Sequence, residues 1–187
     1  MFKPKSIQMK TKAFTLFILF QFLLVTAFAQ KNAGLDILLD KNAEFILPQT
    51  TDKISAALRT KAIITDNEND GERYAEWITS SGLGVYTNIG DKKTVNDIWF
   101  SIPDDKNIII SGLPFNLVLN KTTIDEAMVK FKKYNVKKSK LSDGSFYSNG
   151  TKLLFKKGGH YITLSYNDQN LLKSLSIMRF IPDPAAG

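Results

Sequence analysis

Residues 117–131 read LVLNKTTIDEAMVKF, a short apolar run followed by the start of a helical pattern. Thr123 and Glu126 have the spacing of a capping box, in which each side chain bonds the backbone amide of the other residue. From Ile124 to Phe131 and on to Tyr134, apolar residues recur every three or four positions, which is the spacing of one helix face. The stretch therefore predicts a strand, a tight connection and a helix that begins after Thr123.

A similar stretch lies 72 residues earlier, where residues 45–51 read FILPQTT. Both copies contain an apolar triplet, two further residues and then two threonines. In the earlier copy we expect Thr51 to cap a helix over residues 52–60. Asp52 and Asp125 would then lie in first helical turns, where the helix dipole favours negative charge.

After each predicted helix the sequence changes to the alternation that is typical of strands. In the first half the predicted strands are 74–79, 83–87 and 95–102. In the second half they are 146–148, 152–155, 160–166 and 172–180. We expect Asn149 and Gly150 to form the hairpin turn between the first two of these, because Asn-Gly is a strong two-residue turn signal.

This order of elements predicts an α+β fold of two similar halves, each a short helix packed on an antiparallel β-meander. The two repeats would cover about residues 44–102 and 113–180. The alternative is chance similarity, because two threonines after apolar residues are common. The agreement in both motif and element order favours duplication.

The opening of the second half resembles that of small exported bacterial modules. It consists of residues 112–117, GLPFNL, followed by Thr122, Thr123 and Glu126. In these modules a short strand and a helix precede an antiparallel sheet. The tandem form is similar to the β-lactamase-inhibitor-protein architecture, and the single form is similar to small outer-membrane assembly lipoproteins. Similar openings also occur in domains regarded as immunity proteins.

The amino-terminal segment predicts a signal peptide over residues 1–29. Four lysines precede residues 13–29, AFTLFILFQFLLVTAFA, which end in a small-x-small pattern. Cleavage after Ala29 would make Gln30 the first residue of a single exported domain, 30–187, in the periplasm or outside the cell. The alternative is an uncleaved anchor, but the apolar run is shorter than the roughly 20 residues of a membrane span. We expect membrane contact only through this segment.

The charge of the chain depends strongly on the leader. The whole sequence has 25 Lys+Arg and 18 Asp+Glu, a net charge of +7, and four of the lysines lie in residues 1–29. The remaining 158 residues carry a net charge of only +3, which together with export argues against nucleic acid as a partner. The absence of cysteine excludes disulfides, thiolate metal sites and a cysteine nucleophile.

Few residues suggest catalysis or metal binding. Residues 66–71, DNENDG, resemble the start of a calcium loop, but the twelfth position is Trp77 where a bidentate Glu is needed. His160 is the only histidine, and its sequence neighbours do not complete a catalytic triad. We therefore predict no catalytic residue, no metal ligand and no cofactor, and we expect the protein not to be an enzyme.

Alternation in two predicted strands suggests a binding surface instead. In the strands at 95–102 and 160–166, one face is apolar and would meet the helices, and the other carries aromatic and hydroxyl side chains. Aromatic residues on an open sheet face are suitable anchors for a protein partner, although they can also simply cover their own sheet. The predicted partner-binding residues are Trp99, Tyr161 and Thr163.

Two functions follow as hypotheses. The first is an exported, non-enzymatic module that binds a protein through the open sheet face, with an inhibitor or immunity protein that neutralises a hydrolase or a toxin as one version. The alternative is a structural or assembly factor of the envelope that associates with membrane or cell-wall material. A lysine-rich stretch at residues 130–140 would steer an acidic partner or an anionic surface towards the protein.

Overall fold

The computed structural model describes residues 30–66, 72–142, 145–147 and 149–180. The predicted leader at 1–29 therefore lies outside the described residues. Within the described ranges, no helix is long and apolar enough to cross a membrane.

Two short α-helices and twelve strands, together with four 3-10 turns, are the regular elements of the described residues, so the prediction of an α+β fold is confirmed. The helices are α1 (Thr51–Leu58) and α2 (Ile124–Lys130). The strands of the first half are β1 (Gln30–Asn32), β2 (Gln49–Thr50), β3 (Ile63–Asp66), β4 (Arg73–Ile78), β5 (Gly84–Asn88), β6 (Thr94–Val95) and β7 (Ile98–Ser101). Those that follow are β8 (Ile109–Ser111), β9 (Lys137–Lys140), β10 (Thr151–Lys157), β11 (His160–Tyr166) and β12 (Leu172–Met178).

An eight-stranded antiparallel sheet dominates the fold, in the order β3-β4-β5-β7-β12-β11-β10-β9. Its centre is the pairing of β7 with β12, where residues 98–101 meet residues 174–177. We call this pairing the central seam. Two small sheets lie beside the large one: β1 pairs in parallel with β8, and β2 pairs with β6.

Helix α1 begins one residue earlier than the sequence suggested. Thr50, in extended conformation, is the N-cap, and its side chain accepts a hydrogen bond from the amide of Lys53 at 3.3 Å. The prediction that Thr51 is the cap is wrong: it is the first helical residue and is 2% exposed. The register that buries Ile54 and Leu58 also buries Thr51 and leaves Thr50 in front of the helix.

Helix α2 starts with the capping box that the sequence predicted. The amide of Glu126 donates to Thr123 Oγ1 at 3.3 Å, and the amide of Thr123 donates to Glu126 Oε2 at 2.8 Å. The Phe131 ring, directly after the helix, stacks on Phe155 of β10 with 4.4 Å between the ring centroids. This contact fixes α2 on one face of the sheet.

The core lies between the two helices and that face of the large sheet. Strand register aligns one buried row across the sheet: Trp77, Val85, Phe100, Leu175, Leu164 and Leu153. Trp77 is fully buried, and its indole N–H donates to Ser55 Oγ of α1 at 2.8 Å. Because both helices cover this face, the other face of the sheet carries the alternate side chains and is called the open face below.

Several predicted strands are shifted or absent. The strand at 160–166 is confirmed at both ends, but the strand predicted at 95–102 is interrupted between β6 and β7. Phe146 and Tyr147 are not in a strand, so the strand predicted at 146–148 is wrong at these two positions, and Ser148 lies outside the described residues. The hairpin turn is not Asn149-Gly150 but Gly158-Gly159, between β10 and β11, where both glycines have positive φ angles.

Candidate functional site: a cleft on the open face

The open face has one continuous row of side chains that crosses all eight strands. The register places in it, in strand order, Ile63, Glu76, Tyr86, Trp99, Ser176, Thr163, Leu154 and Lys137. Trp99 and Thr163 therefore share the row with Ser176 between them, about 10 Å apart at two strand spacings.

An apolar cleft of 1210 Å³ lies on this face above β3, β4, β5 and β7. The large apolar and aromatic side chains that line it include Ile63, Ile78, Tyr86, Trp99, Ile108 and Phe146. Phe146 is 96% exposed, Ile63 is 58% exposed and Ile78 is 50% exposed. Exposed apolar side chains gathered around one concave surface are typical of a binding site.

One wall of the cleft, residues 102–106, is held by a buried lysine. Lys173 is 1% exposed, and its ammonium group donates to the carbonyl oxygens of Asp104 at 3.0 Å and Lys106 at 3.4 Å. The same nitrogen is 3.6 Å from Asp104 Oδ1. The Tyr147 hydroxyl donates to the carbonyl of Ile102 at 3.1 Å. These contacts fix the position of the wall from inside the protein.

Tyr86 forms part of the floor and bends over Gly84. A Cβ atom at position 84 would lie 2.6 Å from the Tyr86 hydroxyl oxygen, so only glycine leaves room for this ring position. Burial raises the pKa of the Tyr86 phenol, and the nearby negative charge of Glu76 raises it further. The floor therefore presents the Tyr86 phenol beside Glu76, within a largely apolar surface.

The structure separates the three predicted partner-binding residues. Trp99 lines the cleft, whereas Tyr161 and Thr163 lie on the same face but do not line it. Tyr161 is beside Lys156, whose Nζ is 5.2 Å from the centre of its ring. Sequence reasoning missed Phe146, which it placed in a strand, and the exposed residues of the outer strands β3 and β4.

Asp66 and His160, the described residues of the segments that suggested metal or catalytic chemistry, do not line the cleft. Residues 67–71 of the calcium-like segment lie outside the described residues, and Asp66 pairs with Arg73 at 2.6 Å. His160 opens β11, opposite Lys157. Among the residues described, no group of three or more His, Asp and Glu side chains could hold a metal ion.

Buried tyrosines should make the protein sensitive to alkali. Burial, followed by the charge of Asp104, raises the pKa of Tyr147 to about 12, and burial raises the pKa of Tyr166 as well. A phenol with a raised pKa in the folded state stabilises the fold fully below the unfolded pKa of about 10. That stability is lost as the pH rises to the folded value, here by about 2 kcal/mol for Tyr147 between pH 10 and 12.

Tyr147→Phe tests this effect. We expect the variant to lose about 1 kcal/mol at pH 8, because the Ile102 carbonyl loses a donor, and to depend less on pH between 10 and 12 than the wild type. Urea unfolding at pH 8, 10, 11 and 12 measures both effects. Parallel curves for the two proteins above pH 10 would contradict the assignment.

Comparisons with known proteins add little to this picture. No protein-family model matches the chain, and no curated protein matches its sequence. The fold is similar to the crystal structure of a DUF4309 family protein (YjgB) from Bacillus subtilis subsp. subtilis str. 168. The TM-score is 0.45 at 12% identity, over 72% of this chain and 80% of that chain. A similarity at this level supports no conclusion about function.

Proposed function

We propose that the protein is an exported, non-enzymatic binding module that engages a protein partner through the cleft on its open face. The observation that carries the proposal is the group of exposed apolar side chains around one concave surface, with Phe146 at 96%, Ile63 at 58% and Ile78 at 50% exposure. Leaving these side chains in water is unfavourable, and a partner that covers them gains the corresponding hydrophobic free energy.

The size and composition of the cleft favour a protein over a small molecule. Its volume of 1210 Å³ is above the range of most small-molecule pockets, about 300–1,000 Å³. Trp99, Tyr86 and Phe146 are aromatic, and aromatic side chains are enriched in the centres of protein interfaces. An apolar loop of a partner protein would fill such a cleft. Inhibition of a hydrolase or neutralisation of a toxin is one version of this function.

The non-enzymatic and exported parts of the proposal rest on sequence. The chain has no cysteine, and its one histidine is absent from the residues that line the cleft. Export rests on the leader at 1–29, with cleavage after Ala29. Mass spectrometry of the secreted protein tests this, with Gln30 as the expected first residue.

We also propose that the two halves, about 44–102 and 113–180, are similar repeats, as in the tandem helix-and-sheet modules that the sequence resembles. Outward from the central seam, the strands run β7, β5, β4, β3 on one side and β12, β11, β10, β9 on the other. Each set of four follows a short helix with a threonine N-cap. Superposing the halves in an experimental structure tests the duplication, and opposite crossing senses of α1 and α2 on their strands would exclude it.

Truncating the aromatic side chains of the cleft should weaken partner binding. We expect Trp99→Ala and Phe146→Ala each to lower the affinity about 30-fold, or about 2 kcal/mol, if these residues anchor the partner. The matched control is Phe180→Ala, because Phe180 is 77% exposed and does not line the cleft. The measurement is calorimetry with the partner isolated from the same exported fraction.

Two outcomes would contradict the proposed function. One is equal binding by Phe146→Ala, Phe180→Ala and the wild type. The other is fractionation of the protein with membrane or cell-wall material without a stoichiometric protein partner, which would support the envelope assembly role instead. Thermal melts of each variant separate a loss of binding from a loss of folding.

A further inference from the structure

The four strands on one side of the central seam are strongly basic. Strands β9, β10, β11 and β12 contain no Asp or Glu. Their seven lysines are Lys137, Lys138, Lys140, Lys152, Lys156, Lys157 and Lys173. On the other side of the seam, β3, β4, β5 and β7 carry Asp66, Arg73 and Glu76. The charge of the large sheet is therefore uneven, and the basic strands lie next to those that form the cleft.

Strand register decides which of these lysines reach the open face. Lys137 lies in the same row as Trp99, Lys152 lies opposite Ser165, and Lys156 lies opposite Tyr161. We call these three the open-face lysines. Between them and the cleft, this face carries the hydroxylated side chains of Ser165, Ser174, Ser176 and Thr163, together with Leu154, Tyr161 and Met178.

Among the described residues the open-face lysines have no carboxylate partner, whereas two of the other four lysines of these strands do. Lys157 pairs with Glu44, and Lys173 pairs with Asp104. Over residues 30–66, 72–142, 145–147 and 149–180, no ion pair joins an open-face lysine to an acidic side chain. Uncompensated lysines on one surface produce a positive potential that attracts an acidic partner.

We propose that the partner is an acidic protein that inserts an apolar segment into the cleft and places its carboxylates against the open-face lysines. This inference rests on the proposed function and specifies the chemistry of the partner. Trp99 and Lys137 are separated by four strand spacings, about 19 Å. A standard protein interface of about 800 Å² per partner spans this distance, so one rigid surface contacts both regions.

The shape of the surface favours a protein over an anionic bilayer. The apolar side chains line a cleft of 1210 Å³ beside the lysines, and a flat lipid surface cannot fill a concave site while it touches the strands next to it. A protruding loop can do so. Acidic residues next to that loop in the partner would then pair with the open-face lysines.

The first experiment determines which peptide chemistry the surface prefers, and it does not require the partner to be identified. A displayed library of random dodecapeptides is selected on the immobilised full exported chain. We expect the enriched peptides to combine two or more aromatic or aliphatic residues with an excess of Asp and Glu. Enrichment of neutral or basic peptides, or no enrichment at all, would overturn the inference.

The second experiment compares lysines on the two faces of the neighbouring strands β9 and β10. In β9, Lys137 lies on the open face, whereas Lys138 and Lys140 alternate to the other side. The double variant Lys137→Glu/Lys152→Glu is compared with Lys138→Glu/Lys140→Glu, which has the same change in net charge. Fluorescence anisotropy with the best-enriched peptide measures binding at 50 and 300 mM NaCl.

We expect at least a tenfold loss of affinity for the open-face variant and less than a twofold loss for its control. Raising the salt should weaken wild-type binding several-fold, because exposed charges are screened. Equal losses in the two variants would overturn the inference. If Trp99→Ala abolishes peptide binding while Lys137→Glu/Lys152→Glu leaves it unchanged, the proposed function stands and the acidic partner is excluded.

Vesicles of phosphatidylglycerol and phosphatidylcholine are the probe for the competing lipid surface. We expect the wild-type protein to remain in the supernatant at 150 mM NaCl when these vesicles are sedimented. The inference would be overturned if the wild-type protein sedimented with the vesicles and only the open-face variant, Lys137→Glu/Lys152→Glu, abolished this. Unchanged sedimentation of Lys138→Glu/Lys140→Glu would then assign the open-face lysines to membrane binding. Circular dichroism and thermal melts confirm that each variant is folded.

Discussion

Replacing Trp77 by alanine is expected to lower the free energy of unfolding by about 3–5 kcal/mol, a large part of the stability of a domain of this size. Trp77 is fully buried in the central row of the core, and its indole N–H bonds Ser55 of α1. Alanine would leave a cavity between α1 and β4 and would remove the only donor that the structure gives to the Ser55 hydroxyl within the described residues. Urea unfolding at pH 7 measures the loss.

The second tryptophan of the chain provides the control. Trp99 lies on the opposite face of the same sheet and is only partly buried. We expect Trp99→Ala to lower the free energy of unfolding by less than half as much as Trp77→Ala does. Of these two tryptophans, only Trp99 should contribute directly to partner binding. If Trp99→Ala lost more stability than Trp77→Ala, the assignment of the buried and open faces of the sheet would be wrong.

Gly150→Ala is expected to cost about 3 kcal/mol, at the upper end of the usual effect of overpacking. A Cβ atom at position 150 would lie 2.1 Å from the carbonyl oxygen of Tyr166 and 2.8 Å from that of Tyr147. Both are backbone atoms, so neither can move aside as a flexible side chain does. The loop that carries Phe146 would have to shift away from β11.

Gly90→Ala is the matched control, since a Cβ atom there would meet its nearest neighbour, the carbonyl oxygen of Thr94, at 3.5 Å. We expect a change of less than about 1 kcal/mol at this position. Denaturant midpoints of the two variants and the wild type are compared under one condition. Similar midpoints for the two alanine variants would disprove the close contact of Gly150 with the backbone of Tyr166 at the end of β11.

Local signals predict those elements whose two faces differ in environment. Alternation predicts strand β11 at its observed ends because Ile162, Leu164 and Tyr166 are buried while the residues between them are not. The capping box of α2 is equally clear, because Thr123 and Glu126 satisfy each other's backbone amides without help from the rest of the chain.

Strand β9 escapes prediction for the opposite reason. Its sequence is KKSK, and all four residues are exposed, so neither face leaves an apolar signal. Lysines on an edge strand discourage pairing with another sheet. This role requires no apolar residues, so hydrophobic alternation does not predict the strand. Asn149-Gly150 misleads because the turn signal is real, with Asn149 at a φ of 59°, but the chain before it forms a loop.

The cleft could be predicted only in part. Alternation places Trp99 on the open face, but the cleft is assembled from Lys31, residues within 63–65, 74–88 and 99–108, Phe146, Tyr147 and Ser174. These segments are far apart in sequence, and their contact depends on strand order. Phe146 in particular lines the cleft from outside the strands, which no local pattern encodes.

The central seam also determines when the large sheet can be completed during folding. Strand β7 ends at Ser101, and its partner β12 begins only at Leu172. The seam cannot form until the whole intervening stretch is available to fold. Until then β7 is an unpaired edge that contains Ile98 and Phe100, and such an edge pairs readily with other chains. The hazard of aggregation is therefore greatest in this interval, and it depends on how quickly the carboxyl-terminal half is delivered.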